Sequence, residues 1–339
     1  MAAIIIEKGG LLTTVQDGGR HGYRRFGMPV SGAMDMCAYT LANILAGNSP
    51  GAALLEATLI APEILFKDDL DPERLWRIAV CGADMQPCIN GKSIPMNRAV
   101  EIKNGDRLTF AGLKWGCRTY ITFEGGLDVP VIMGSRSTYL RAAVGGYEGR
   151  PLKPGDLIPL GTDFRTNDHD NDNYHDNYLI NGRINDRIND RINDRINDRN
   201  NKQLDSQHIP DYQSGQPIKI YPGPELKRVG FEGLRTLLTR EFTITPQSDR
   251  MGLRLSGEPI YIKNIPETAN HSDCNIPSHD IVSAGIPIGT IQLPANGQMI
   301  ILTADCQPTG GYARIAFVSE ADLCRIAQMK PGDKLRFRE

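Results

Sequence analysis

The chain has 339 residues, 40% hydrophobic and 23% charged, with a formal net charge of −2. This composition excludes fibres and a small disulfide scaffold and suits two domains or one large β-rich unit; a charge this near zero supplies no global basic field for nucleic acid or an anionic membrane. No apolar run approaches the roughly 18 residues a membrane helix needs, and the opening Met1-Ala-Ala-Ile-Ile-Ile-Glu-Lys8 has no basic segment ahead of its short apolar run, so the expected location is the cytoplasm.

Short apolar stretches bounded by Gly, Asn or Pro predict strands over 3–7, 77–80, 99–102, 107–110 and 119–123. Asn90-Gly91 and Asn104-Gly105 read as hairpin turns. One helix is expected over 34–45, with apolar positions at Met34, Ala38, Leu41 and Leu45 and a stop at Gly47-Asn48. Lys153-Pro-Gly-Asp156 then leads into a strand at 157–160. From Asn167 to about Asn201 the chain is nearly all Asn, Asp, Arg, His, Tyr and Ile, with four consecutive Arg-Ile-Asn-Asp units at 183–198. Asn and Asp are poor helix formers, so this stretch reads as a linker between the halves. Beyond it, strands are expected at 218–221, 241–245, 291–293 and 299–303, and a helix at 320–328 with Ser319 as its N-cap. Lys330-Pro-Gly-Asp333 leads into a last strand at 334–337, so both halves close on the same turn sequence. Many short strands with Gly-rich turns favour a mainly β fold of barrels or sandwiches.

The seven cysteines, Cys37, Cys81, Cys88, Cys117, Cys274, Cys306 and Cys324, are scattered without a C-x-x-C pair, and reduced thiols are expected. No phosphate-binding G-x-x-x-x-G-K-[ST], strand-to-helix G-x-G-x-x-G or H-E-x-x-H is present. His271, Asp273, Cys274 and His279 resemble a metal cluster, but the spacing matches no standard zinc module and offers no fourth committed N or S ligand; the expectation is a polar loop and no metal. Met329-Lys330-Pro331 is half of the Met-Lys-Met setting usual for a biotinylated lysine, so no covalent biotin is expected on this chain.

Three Gly-rich stretches carry charge. In Thr13-Thr-Val-Gln-Asp-Gly-Gly-Arg-His-Gly-Tyr23 the glycines permit tight backbone, and Arg20 either meets a carboxylate or phosphate or pairs with Asp17. Ser31 is placed to cap the following helix, whose N-terminus suits an anion. In Gly134-Ser-Arg-Ser-Thr-Tyr139 and Gly145-Gly-Tyr-Glu-Gly-Arg150, hydroxyls beside arginines suit an oxyanion or simply an exposed turn. In Ser248-Asp-Arg-Met-Gly252 and Asp305-Cys-Gln-Pro-Thr-Gly-Gly-Tyr312, Gly310 and Gly311 let backbone approach a ligand beside the Tyr312 phenol, or form a β-bulge.

These blocks, together with Gly10-Leu-Leu-Thr-Thr-Val-Gln-Asp17, Pro29-Val-Ser-Gly-Ala-Met-Asp35, Pro222-Gly-Pro224 and Gly289-Thr-Ile-Gln-Leu-Pro294, resemble in order the KipA family, the C subunits of 5-oxoprolinases. That family is similar to the second carboxyltransferase subdomain of urea carboxylase and is often called biotin-dependent carboxyltransferase or allophanate hydrolase subunit 2. The resemblance implies two cyclophilin-like β-barrel subdomains, at 1–165 and 207–339, joined by a low-complexity linker at 166–206. It implies two partners, the KipI-like B subunit and the A subunit of 5-oxoprolinase. With them the chain would be one component of a cyclic-amide hydrolase, inactive alone, opening 5-oxo-L-proline to L-glutamate at the expense of ATP bound with or by the partners. Carried over position by position, Arg20, Arg136 and Arg250 would bind anions. Ser137, Tyr139 and Tyr312 would donate hydrogen bonds. Asp35 and Gln307 would complete the catalytic set, with Gly310 and Gly311 against the bound nucleotide. Pro308 departs from the family pattern and has no N–H to offer an oxyanion. Two alternative readings follow from the same resemblance: a carboxyltransferase component acting on a urea- or amide-like substrate, and a KipA-type antagonist of a KipI-like inhibitor.

Overall fold

The structure, a computed structural model, describes residues 2–161, 211–212, 215–262 and 280–339. The expected linker and the His271, Asp273, Cys274 and His279 group lie outside the described residues. The chain forms two units, Met1–His21 with Asp35–Pro210, and Gly22–Met34 with Asp211–Glu339. The short segment Gly22–Met34 therefore belongs with the second unit although it precedes the first unit's helix.

In the first unit, β1 (Ala2–Lys8) buries Ile4 and Ile6 completely and leaves Ile5 and Glu7 partly open, the period of two that makes a half-buried strand. It pairs antiparallel with β4 (Glu63–Asp68), where Ile64 and Phe66 are the buried positions, and with β11 (Leu157–Pro159). With β6 (Pro87–Ile89), β7 (Lys92–Ser93) and β9 (Arg107–Phe110) these give a sheet in the order β11-β1-β4-β9-β6-β7. A second sheet, β2-β3-β10-β5-β8, is built from β2 (Leu12–Gln16), β3 (Leu54–Thr58), β5 (Trp76–Asp84), β8 (Ala99–Ile102) and β10 (Trp115–Phe123). Both sheets feed one core in which Phe66 stacks on Phe123 at 6.1 Å, among Ile4, Ile78 and Ile121. Each such side chain contributes about 1.5–3 kcal/mol by burial.

Helix α1 (Met36–Ala46) starts at Asp35, whose carboxylate accepts the Ala38 N–H at 3.0 Å, and stops at Gly47 in the left-handed region. The cap is thus Asp35 and not Ser31, which lies outside the helix. Ala38, Ala42 and Ala46 recur every fourth residue and are fully or nearly fully buried. A buried polar knot fixes the helix end: Asn48 Nδ2 donates to Thr122 Oγ1 (3.0 Å) and Phe123 O (2.9 Å), while Thr122 Oγ1 donates to Asn43 Oδ1 (2.9 Å).

The second unit has one sheet of β12 (Ile218–Pro222), β13 (Phe242–Ile244), β14 (Gly252–Ser256), β15 (Asp280–Gly285), β16 (Thr290–Leu293), β17 (Ile300–Leu302), β18 (Thr309–Val318), β19 (Lys334–Leu335) and β20 (Phe337–Arg338). Its order is β19-β13-β14-β17-β16-β18-β12-β20, with β15 on β18. The two end strands β19 and β20 are separated only by Arg336. The sheet therefore bends round until one short segment pairs with both of its ends, a nearly closed barrel. Inside lie Ile220, Phe242, Leu253, Ile291, Ile301 and Phe337. Among the described residues two α-helices accompany the sheet, α2 (Gly230–Thr239) and α3 (Glu320–Ala327). Ser319 precedes α3 but makes no capping bond; its hydroxyl donates to Asp322 Oδ2 instead. The fold is mainly β with few helices, as the turn-rich sequence implies.

Among the described cysteines, Cys81, Cys88, Cys117 and Cys306 are thiols outside any disulfide. Cys37 and Cys324 are not, which departs from the expectation of reduced thiols throughout. No helix among the described residues is long and apolar enough to cross a membrane.

Candidate functional site

In the first unit β2 runs into Asp17, and the loop after it meets the Gly134–Tyr139 block. Asp17 organises both. Its Oδ1 accepts from the Gly19 N–H (2.8 Å), Ser135 Oγ (2.7 Å) and Ser137 Oγ, and its Oδ2 from the Arg136 N–H. Charge-assisted bonds of this kind are roughly twice as strong as neutral ones. Arg20 is fully buried, and it donates from Nε to Ile132 O at 3.0 Å and from Nη2 to Ser137 O at 2.9 Å. Arg136 donates from Nε to Val129 O at 3.1 Å. Tyr139 is half-buried and bridges to Val144 through backbone. Gly145, at φ +71°, lies against this knot: a Cβ there would come within 2.1 Å of Ser137 O and 2.7 Å of Arg20 Nη2. Of the two readings of Arg20, the structure shows neither a carboxylate pair with Asp17 nor a projecting side chain; the guanidinium clasps backbone carbonyls.

Asp35 belongs to a second buried group in the same unit. Its N–H donates to the Tyr120 hydroxyl at 2.8 Å, which donates to Glu56 Oε2 at 2.9 Å, and Glu56 faces Arg118 at 3.9 Å. All four residues are buried. Burial first, then the Glu56 and Asp35 carboxylates, pushes the Tyr120 phenol well above its ordinary pKa. The Cys81 thiol is raised as well, by burial and then by Asp35. A phenol so raised stays protonated and holds its bridging position at neutral pH.

In the second unit Arg250 makes a two-pronged ion pair with Asp305, Nε to Oδ2 at 3.0 Å and Nη2 to Oδ1 at 3.1 Å, and also donates to Gly32 O at 2.6 Å. Thr303 Oγ1 and the Asp305 N–H both donate to Arg250 O, at 2.6 and 2.8 Å. Ser31 sits in this unit with φ +56° and a buried hydroxyl that has no partner among the described residues.

Arg24 donates to Ile286 O and, at 3.2 Å, to Pro308 O. Burial raises the neighbouring Cys306 thiol to about 11 although Arg24 works to lower it. Pro308, which has no N–H to give, serves through its carbonyl. On β18, Gly310 and Gly311 lead to Tyr312, whose side chain is exposed, while Gln307 is half-buried just ahead of the strand. Arg314 on the same strand is held by Glu225 at 2.9 Å.

The candidate residues thus fall into three groups: Arg20, Arg136, Ser137 and Tyr139 around the Asp17 knot, Asp35 with Tyr120, and Arg250, Gln307, Gly310, Gly311 and Tyr312 in the second unit. Additional polar residues in these places include Asp17, Ser135, Arg24, Glu56, Arg118, Tyr120, Thr303, Asp305 and, beside Gly310, Gln292. For Gln292 the signal was available: it is a lone amide between Ile291 and Leu293 in an apolar strand. A surface concavity lined by Leu75, Arg77, Val100 and Glu124 contains none of these residues, and its Arg77 and Glu124 pair with each other at 3.4 Å.

A mainly β chain of two units, with its arginine, serine and glycine blocks folded into buried knots, matches the family described as carboxyltransferase domain, subdomain A and B, over residues 26–339. The chain belongs to that family. It is 32% identical over 98% of its length to the 5-oxoprolinase C subunit of Escherichia coli K12 and spans 89% of that protein. It is 30% identical to the urea amidolyase of Saccharomyces cerevisiae but spans only 16% of it. The crystal structure of Kluyveromyces lactis urea carboxylase superposes over 99% of this chain with a TM-score of 0.78 and 27% identity, and the match covers 27% of that larger chain.

Proposed function

We propose that this protein is the C subunit of an ATP-dependent 5-oxoprolinase, acting with a KipI-like B subunit and an A subunit to open 5-oxo-L-proline to L-glutamate. The observation that carries the reading is coverage in both directions. The chain and the bacterial 5-oxoprolinase C subunit account for nearly all of each other, whereas the urea enzymes contain this fold as a small part of a much longer chain.

The chemistry is demanding because a lactam carbonyl is a poor electrophile. Opening the ring breaks the C–N bond, adds the elements of water and leaves a carboxylate and an amine; ATP hydrolysis supplies the driving force. The motif arginines of this chain are poorly disposed to hold a triphosphate, since Arg20 and Arg136 donate to backbone carbonyls and Arg250 to Asp305 and Gly32. These engagements support the reading in which ATP is bound with or by the partner proteins. This chain's part is to hold and orient the cyclic amide. The Asp17 and Arg250 knots keep the surrounding loops rigid, as productive geometry requires.

The test is co-expression with candidate A and B subunits and measurement of glutamate released from 5-oxo-L-proline. ATP-dependent glutamate that disappears when this chain is omitted supports the proposal. An assembled complex that releases none, yet carboxylates urea when given a biotinylated partner, replaces it with the carboxyltransferase reading. Tight partner binding with neither activity replaces it with the regulatory one.

A further inference from the structure

Strand β16 alternates. Ile291 and Leu293 lie in the core of the second unit, so Gln292 between them faces the other side of the sheet. Gln292 is nonetheless only 1% exposed, and its Nε2 has no hydrogen-bond partner among the described residues. An unpaired buried donor is destabilising, so its retention calls for a reason other than folding. Nε2 lies 2.9 Å from the point that a Cβ on Gly310 would occupy, and Gln307 Nε2 lies 3.4 Å from the same point. Two primary amides therefore converge over the bare Cα of Gly310. Ile286, itself fully buried against Leu302 and Cys306, covers that point with its Cδ1 at 2.3 Å, so a ligand reaches the two amides only where this side chain turns aside. Arg24 pins the backbone carbonyls of Ile286 and Pro308 on either side.

We infer that Gln292 and Gln307 form a docking point for a cyclic amide, with Gln292 pairing to the lactam edge and Gln307 adding a second donor to its carbonyl oxygen. A lactam ring fixes N–H and C=O side by side. One carboxamide then makes two bonds to it, Nε2–H to the carbonyl and Oε1 from the lactam N–H; an open-chain trans amide presents those groups on opposite edges. The nearby guanidinium groups are engaged, Arg24 with carbonyls and Arg314 with Glu225, so an uncharged amide suits the place better than a carboxylate. This inference rests on the 5-oxoprolinase reading and names the part of the chain that reads the lactam. Gly310 is required because a Cβ there would run into Ile286 Cδ1 and crowd the Gln292 amide.

The test uses the full chain carrying Gln292→Met, a similar volume without the amide, and separately Gln307→Met. In the assembled complex, Gln292→Met raises KM for 5-oxo-L-proline about tenfold or more, the size of one lost hydrogen-bond pair, while its melting temperature equals or exceeds that of the wild type. On the full chain alone, 2-pyrrolidinone raises the melting temperature of the wild type and not of Gln292→Met, and N-methyl-2-pyrrolidinone, which lacks the N–H, gives a smaller shift. Gln307→Met weakens both effects less. A Gln292→Met chain that melts lower yet keeps its KM and its 2-pyrrolidinone shift makes Gln292 structural and overturns the inference. So does a wild-type chain that neither compound stabilises. If the complex releases no glutamate but 2-pyrrolidinone still distinguishes wild type from Gln292→Met, the docking point stands and the oxoprolinase reading falls.

Discussion

The first unit ends on Lys153-Pro-Gly-Asp156 and the second on Lys330-Pro-Gly-Asp333, and the backbone treats the two alike. Gly155 and Gly332 have φ of +90° and +92°. Their N–H groups donate to Ile6 O and Ile244 O, both at 2.8 Å, and Asp156 O and Asp333 O accept from Ile6 N–H and Ile244 N–H, both at 2.9 Å. The side chains diverge. In the first unit Arg150 grips Asp156 with two bonds of 2.7 and 2.8 Å, and only 5% of the Asp156 side chain is exposed. In the second, Lys330 reaches Asp333 within the turn itself, and both are about a third exposed. The buried arginines divide the other way: Arg20 of the first unit takes backbone carbonyls and Arg250 of the second takes a carboxylate. A shared local sequence fixes a shared turn, while the partner of each charged side chain and its burial decide how much that side chain contributes.

The sharpest way to break this comparison is through the arginines. Asp305→Ala leaves a charged Arg250 buried without its carboxylate and is expected to cost about 3–5 kcal/mol, read as a lower urea midpoint. Arg20→Met, which removes the donors to Ile132 O and Ser137 O, is expected to cost less, about 2–3 kcal/mol. The double change Arg250→Met with Asp305→Leu should recover part of the loss, since apolar replacement of a whole buried pair is often tolerated. Equal losses for Asp305→Ala and Arg20→Met would show that the two knots do not differ in kind.

The turns give a smaller and pH-dependent contrast. Burial by itself pushes the Asp156 carboxyl up, but the Arg150 bonds and the Lys153 N–H outweigh it and hold its pKa below the usual value. A lowered carboxylate contributes stability above its unfolded pKa, about 4, and loses it as pH falls through the folded value. Asp156→Asn is therefore expected to cost about 1.5–3 kcal/mol at neutral pH, a gap that narrows from about pH 4 downward. Asp333→Asn, at its exposed pair, should cost less than about 1 kcal/mol. Urea unfolding of both variants at pH 7 and in acid reads the difference. Smallest of all, Ser319→Ala should cost under about 0.5 kcal/mol, below the ~1 kcal/mol of a working N-cap, because the hydroxyl bonds Asp322 rather than the helix.

Much of the fold was legible where short apolar stretches are bounded by turn residues. Strands at 99–102 and 107–110 match β8 and β9 residue for residue, and β1 extends the expected span by one residue at each end. β3 is hidden because Glu56, a charged residue in its middle, is buried against Tyr120 and Arg118. α2 is hidden because it opens on Gly230 and carries Gly233, each costing about 1 kcal/mol relative to alanine; packing against the core supplies what propensity lacks. The site was legible as blocks but not as contacts. An arginine beside glycines describes an anion cradle and a clasp on carbonyls equally well, and residues 132 and 137, far along the chain, decide for Arg20.

The central claim is that this chain is a working part of an oxoprolinase. The most direct measurement titrates it into fixed amounts of its A and B partners with 5-oxo-L-proline and ATP, following glutamate release. The account predicts a rate that rises from background and saturates when this chain matches the partners in stoichiometry. A glutamate rate that stays the same at every concentration of the chain would contradict it.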